Sequence, residues 1–242
     1  MALFDVYNQW DIELVKGEGA YVWDKTGKKY LDLYGGHGVI SIGHNHKHWK
    51  SKITKQLDTL SFYSNAVKNP LQDTLANKLS EQSDYSNYDL FMCNSGAEAN
   101  ENAVKLASFH TGRKKIISFK GAFHGRTSGA VMLTDNPSIQ APFNRTDNVI
   151  MLALNDSQAL EKTLKQNDIA GIIIEGIQGV GGLDEPSPEF LKIAVSLCRE
   201  HGTLIILDEV QSGFGRSGYF FAHQHICNEA DIISMAKGMG NG

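Results

Sequence analysis

No run of about 18 apolar residues occurs anywhere in the 242-residue sequence, so a membrane-spanning helix is not expected. The first stretch, MALFDVYNQWDIELVKGEG, has no early basic patch and no apolar block of signal-peptide type. Cysteine is scarce: Cys93, Cys198 and Cys227 are odd in number and far apart, with no C-x-x-C pair, which argues against a disulfide framework and a zinc site. A reducing, cytoplasmic location is the expectation. Charge of one sign is lacking as well. Against 27 acidic residues stand 23 lysines and arginines, a formal net charge of -4, so no broad field attracts nucleic acid or a membrane surface. Three chemical signatures are also missing. There is no G-x-x-x-x-G-K-[ST] string to grip nucleotide phosphates and no G-x-S-x-G nucleophile elbow, and the glycines of GIQGVGG do not fit G-x-G-x-x-G.

What is present reads as an ordinary globular chain, 41% apolar and 21% charged, long enough for one large domain or two small ones. Its pattern changes near residue 85. Before that point, AYVWDKTGKKYLDLYGG predicts two short strands around a Lys-Thr-Gly turn, and HKHWKSKITKQLDTLSFY and PLQDTLANKLSEQ predict helices. Beyond it, seven strand-like runs follow: DLFMC, KIISF, GAVML, VIMLAL, GIIIE, TLIIL and DIISMA. Several are almost unbroken Val, Ile and Leu, the pattern of strands buried on both faces of a mostly parallel sheet, so the expected class is α/β. Ligands of such sheets gather beyond the carboxyl ends of the strands, which directs attention to the residues that follow each run.

Three of those positions are chemically suggestive. NSGAEANENAVKLASFHTG predicts a helix with Asn94 or Ser95 as N-cap and Gly112 beyond its end, where the backbone N–H groups of Ser95, Gly96 and Ala97 suit either an anion or a plain cap. TLIILDEVQSGFGR ends a strand on Asp208, which reads as a metal-binding acid of a nucleotidase, as the partner of a protonated ring nitrogen, or as an exposed acid. DIISMAKGMGNG delivers a lone lysine, Lys237, either a surface residue or an amine that condenses with an aldehyde. Phosphate seat, carboxylate and imine-forming lysine together match the three handles of pyridoxal 5'-phosphate. Four histidines in GGHGVISIGHNHKHW, His37, His44, His46 and His48, fit a turn into a helix better than a metal site, and Cys93 fits a small packing residue better than a nucleophile.

Read in order, GEGAYVWDKTGKKYLDLYGGHGVISIGHNH, NSGAEANENAVKLA, GAFHGRT, DEVQSGFGRSG and SMAKGMGNG resemble the class III aminotransferases of the fold-type-I pyridoxal-phosphate family, nearest the acetylornithine and ornithine aminotransferases. The resemblance implies a fold-type-I large domain over residues 61–242, with a mostly parallel seven-stranded sheet flanked by helices. It also implies that residues 1–60 form an N-terminal segment of the small domain and that a C-terminal part is missing beyond the lysine. By the same resemblance Ser95, Gly96 and Ala97 hold the cofactor phosphate, Phe123 stacks on its ring, Asp208 pairs with the ring nitrogen, Gln211 lies near the phenolic oxygen and Lys237 is the Schiff-base lysine. Arg126 is implied to bind the substrate carboxylate, and Glu175 to join the substrate contacts. The implied reaction passes an amino group from an ω-amino donor such as N-acetylornithine to 2-oxoglutarate, in arginine biosynthesis, within a homodimer. Two positions depart from the family pattern: Gly176 stands where proline is usual, and Val180 where a second glutamate is usual. A valine cannot pair with a cation, which leaves N-succinylornithine or another ω-amino compound open as donor. Elements awaiting a missing half predict exposed apolar surface and poor solubility for this chain alone.

Overall fold

The computed structural model describes residues 1–242 and divides them into two compact units. The first comprises residues 1–68 with Asn241, so the expected boundary at residue 60 falls inside it. Its antiparallel sheet has the order β1 (Leu14–Glu18), β2 (Tyr21–Asp24), β3 (Lys29–Leu31). The turn between β2 and β3 is organised by one side chain. Asp24 accepts from Thr26 N, Thr26 Oγ1, Lys28 N and the Tyr30 hydroxyl, and these bonds hold its carboxyl down at about 2. β1 escaped the sequence reading because LVKGE has neither alternation nor a run; it forms by pairing with β2. A single turn, α1 (Gly35–Gly38), and the helix α2 (Lys47–Leu57) complete the unit. His44 is bound to Asp32 at 2.7 Å and His37 to the Tyr34 hydroxyl at 2.7 Å.

The second unit, residues 69–240 with Gly242, begins with α3 (Pro70–Ser83) and α4 (Gly96–Thr111). There follow β4 (Lys115–Phe119), α5 (Ser128–Leu133), β5 (Val149–Leu152), α6 (Ser157–Leu164), β6 (Ile169–Glu175), α7 (Pro188–His201), β7 (Leu204–Asp208) and β8 (Ile232–Ser234). The helix ends obey local chemistry. Ser95 caps α4 by accepting from Glu98 N at 3.1 Å and Gly112 closes it at φ +69°; Ser187 and Gly202 do the same for α7. The sheet is parallel throughout, in the order β5-β4-β6-β7-β8.

Five of the seven expected runs are therefore strands, and two are not. GAVML lies in α5, where Ala130, Val131 and Leu133 are buried; a short apolar run has the same composition in a buried strand and a buried helix. DLFMC joins no ladder, and it leaves Phe91 71% exposed. The three central strands, β4, β6 and β7, bury both faces, while the edge strands β5 and β8 are largely half-buried. Ile172, Ile174, Ile205 and Leu207 pack with Leu160, Leu164, Phe190, Leu191 and Cys198 of α6 and α7, while Ile173 and Ile206 pack with Ala103 and Ala107 of α4 on the other face. Successive strands run outward in opposite senses from the gap between β4 and β6, which makes the carboxyl ends beside that gap the natural ligand crevice.

Candidate active site

Strand alternation decides which acids meet in that crevice. Glu175 ends β6 and Asp208 ends β7, and the two are register partners. Leu207 and Ile174 face α6 and α7, so the next residue on each strand faces α4. Asp208, 3% exposed, is fixed from three directions: Oδ2 accepts from Asn100 Nδ2 at 2.6 Å and His124 Nδ1 at 2.8 Å, and Oδ1 accepts from Val210 N at 3.0 Å. Asn100 is held in turn, donating to the His124 carbonyl at 2.8 Å and accepting from the Ser234 hydroxyl. A second shared register, Asp208 with Ser234, thus brings β8 into the same network. His124 Nε2 is buried without a partner.

The adjacent Glu209 points to the opposite face. Its carboxylate accepts from Ser212 Oγ, Ala222 N, His223 N and His223 Nδ1, and His223 Nε2 lies 2.8 Å from the Tyr85 hydroxyl. Two neighbours on opposite faces, one with four bonds already made, cannot ligate one metal ion together. That geometry removes the nucleotidase reading of Asp208 and Glu209.

The start of α4 is pressed against the same crevice. Ser95 Oγ serves the cap, while the helix dipole and the first N–H groups of Gly96 and Ala97 face outward. Close packing explains two glycines. A Cβ on Gly96 would lie 2.6 Å from Val210 Cγ1, and one on Gly125 would lie 2.4 Å from Ala97 Cβ. These contacts join the helix start to the loop after Asp208 and to the loop that carries Phe123 and Arg126. Phe123 is half-buried, whereas Arg126 is exposed at the beginning of the turn into α5.

Lys237 follows β8 at φ +25°, a conformation uncommon for a residue with a side chain and typical of functional positions. Its amine is half-buried, and burial, with a smaller contribution from Arg216, pushes its pKa below the ordinary lysine value; Asp208 and Glu175 oppose that shift. Gln211 packs so tightly on Gly179 that a Cβ there would fall 1.3 Å from Gln211 Oε1. Glu175, expected among the substrate contacts, is 6% exposed, with Oε1 accepting from Phe123 N at 2.9 Å and Oε2 from Gly179 N at 3.3 Å. Burial first, and the Asp208 charge second, raise its pKa to about 7.

Glu175, Asp208 and Lys237 thus lie within electrostatic reach of one another beyond the strand ends, Phe123 is tied to Glu175, Gln211 packs on Gly179, and the start of α4 at Gly96 and Ala97 packs on Val210 and Gly125, while Arg126 lies on the exposed loop after Phe123. Sequence reading missed the partners of Asp208. His124 stood in the quoted AFHGRT without a role, and Asn100 sits mid-helix, where nothing in a sequence marks which polar residue turns inward.

A five-stranded parallel sheet covered by helices, with an acid and a lysine at adjoining strand ends, defines an α/β architecture with a candidate site at the carboxyl ends of its strands. The chain belongs to the class-III aminotransferases, whose family profile matches residues 5–242. Among curated relatives, the acetylornithine aminotransferase of Bacillus subtilis is 43% identical over 243 residues, covering 100% of this chain and 62% of that protein. The acetylornithine aminotransferase of Bacillus amyloliquefaciens is 42% identical over 226 residues, covering 93% of this chain and 97% of that one. Among solved structures, the ornithine aminotransferase of Toxoplasma gondii, described with partial occupancy of PLP at its active site, superposes with a TM-score of 0.87 at 30% identity, over 96% of this chain and 57% of that one. This chain therefore spans 62% of the length of the B. subtilis relative.

Proposed function

We propose that the chain binds pyridoxal 5'-phosphate and takes part in transfer of an amino group from an ω-amino donor, N-acetylornithine foremost, to 2-oxoglutarate, in arginine biosynthesis and as a homodimer. One observation carries the reading: a buried carboxylate fixed by three donors, Asp208, lies within electrostatic reach of a lysine whose amine is depressed by burial. The residues present fit the cofactor. Asp208 Oδ1 accepts a single bond, so a lone pair remains for a protonated ring nitrogen. The first N–H groups of α4 suit a phosphate, Phe123 offers a ring face, and Gln211 offers an amide to the phenolic oxygen. When bound, the group supplies an aldehyde that takes up the amino group and a ring that draws electrons from the substrate carbon.

The protein's own residues would do the rest. Lys237 Nζ would hold the cofactor and would move the proton at the donor carbon, a role favoured by the lowering of its pKa through burial. Asp208, kept in place by His124 and Asn100, would pair with the ring nitrogen and favour its protonated form. Arg126 meets the substrate carboxylate with two parallel N–H bonds. Val180 is 61% exposed and brings no charge to the crevice, which supports a second reading in which the donor is N-succinylornithine or another ω-amino compound. A homodimer is consistent with α4, which leaves Leu106 56% and Phe109 78% exposed one turn apart. Residues 1–68 are read as part of a small domain and 69–240 as the cofactor-binding domain.

Borohydride reduction of the cofactor-loaded protein tests the reading: peptide mass spectrometry is expected to find the cofactor fixed on Lys237. An adduct elsewhere, or Lys237→Ala turning over repeatedly at the normal rate with N-acetylornithine and 2-oxoglutarate, would refute it.

A further inference from the structure

We propose that Glu175 is a positioning residue, not a substrate contact: its forked carboxylate ties together the two loops that present Phe123 and Gln211 to the cofactor. The proposal rests on the cofactor reading above. It starts from an oddity of burial. Glu175 is 6% exposed beside the equally buried Asp208, its register partner on the next strand. Two neighbouring carboxylates in a crevice are costly to bury, so the second must satisfy something an uncharged residue cannot.

The hydrogen bonds say what that is. Oε1 takes the N–H of Phe123 at 2.9 Å, on the loop after β4, and Oε2 takes the N–H of Gly179 at 3.3 Å, on the loop after β6. Both neighbours are donors, so both atoms of the fork must be acceptors. The carboxylate that Glu175 carries above about pH 7, where the test below is run, meets that requirement, whereas a glutamine presents N–H₂ to one of the two donors.

Each tethered amide controls a side chain on the ring. The Phe123 amide nitrogen is three bonds from its own aromatic ring. Gly179 forms the wall on which Gln211 rests, because a Cβ at Gly179 would lie 1.3 Å from Gln211 Oε1. Elsewhere the Phe123 loop is pinned at its flanks, by Gly121 N on Asp135 at 3.0 Å and His124 N on Thr134 Oγ1 at 3.0 Å. Glu175 provides the pin at Phe123 itself.

The test uses the cofactor-loaded protein and a double-mutant cycle over Glu175→Gln, Phe123→Leu and the pair, reading the cofactor dissociation constant and the visible circular dichroism of the bound cofactor. Glu175→Gln is expected to weaken cofactor binding about tenfold, the loss that one charge-assisted hydrogen bond carries, and to diminish the dichroic band. Phe123→Leu should do likewise, and the pair should lose less than the sum of the two. Glu175→Asp keeps the charge but shortens the fork, so it should resemble Glu175→Gln. Full additivity, rescue by Glu175→Asp, or a Glu175→Gln protein with an unchanged dichroic band and a raised dissociation constant for glutamate would each overturn the proposal. Borohydride trapping on Lys237 is read in parallel. A wild-type protein without the adduct brings down the cofactor reading and this proposal together, whereas a trapped wild type with an additive cycle brings down this proposal alone.

Discussion

The acid at the end of β6 makes a quantitative prediction about stability. The perturbation is pH, with Glu175→Gln as the reference. Burial, and then the charge of Asp208, raise the Glu175 pKa from 4.5 to about 7 in the folded protein, against the opposing pull of His124 and of the Phe123 and Gly179 amides. Below 4.5 the carboxyl is protonated whether the chain is folded or not, and it favours neither state. Between 4.5 and about 7 the unfolded chain sheds the proton while the folded one keeps it, so stability falls as pH rises through that window and levels off above it. A rise of this size corresponds to about 3 kcal/mol across the window, from ~1.4 kcal/mol per pKa unit. Other groups titrate in both proteins, so the quantity to measure is the difference in unfolding free energy between wild type and Glu175→Gln, from urea denaturation at half-unit pH steps. That difference should shift in favour of the variant with rising pH and then plateau. A difference constant to within about 0.5 kcal/mol from pH 4.5 to 8 would refute the burial argument.

Gly96→Ala should destabilise by about 1–3 kcal/mol, because the new Cβ would lie 2.6 Å from Val210 Cγ1 and push the loop beyond Asp208; an unchanged melting temperature would show that the loop yields freely. Asn100→Ala removes a donor from Asp208 and the acceptor of the Ser234 hydroxyl, both buried, and should cost about 1–3 kcal/mol with weakened cofactor binding. Normal stability and affinity would mean that Asp208 does not need that support. On the proposed homodimer reading, Phe109→Asp, at a residue 78% exposed on α4, should shift the protein toward monomer in sedimentation velocity, and an unaltered distribution would refute a contact between copies through α4.

Local chemistry made some of this legible before any fold was known. The cap at Ser95 and the stop at Gly112 act within a few residues of themselves, so α4 could be read from its own composition. The unbroken apolar runs of β6 and β7 announced strands covered on both faces, and Asp208 and Lys237 stood out because each ends such a run. Other features depend on what lies across space. GAVML became a helix, and DLFMC remained unpaired, because a five-residue apolar run carries no period that separates strand from helix and no record of its neighbours. Asp208 and Glu209 look interchangeable in a string. Strand alternation sends one toward His124 and Asn100 and the other into a separate network with His223 and Tyr85. The sequence by itself determined which residues were chemically able to serve a site. Only the tertiary structure decided which of them meet, since strand register and packing, not local sequence, set the partners of a buried acid.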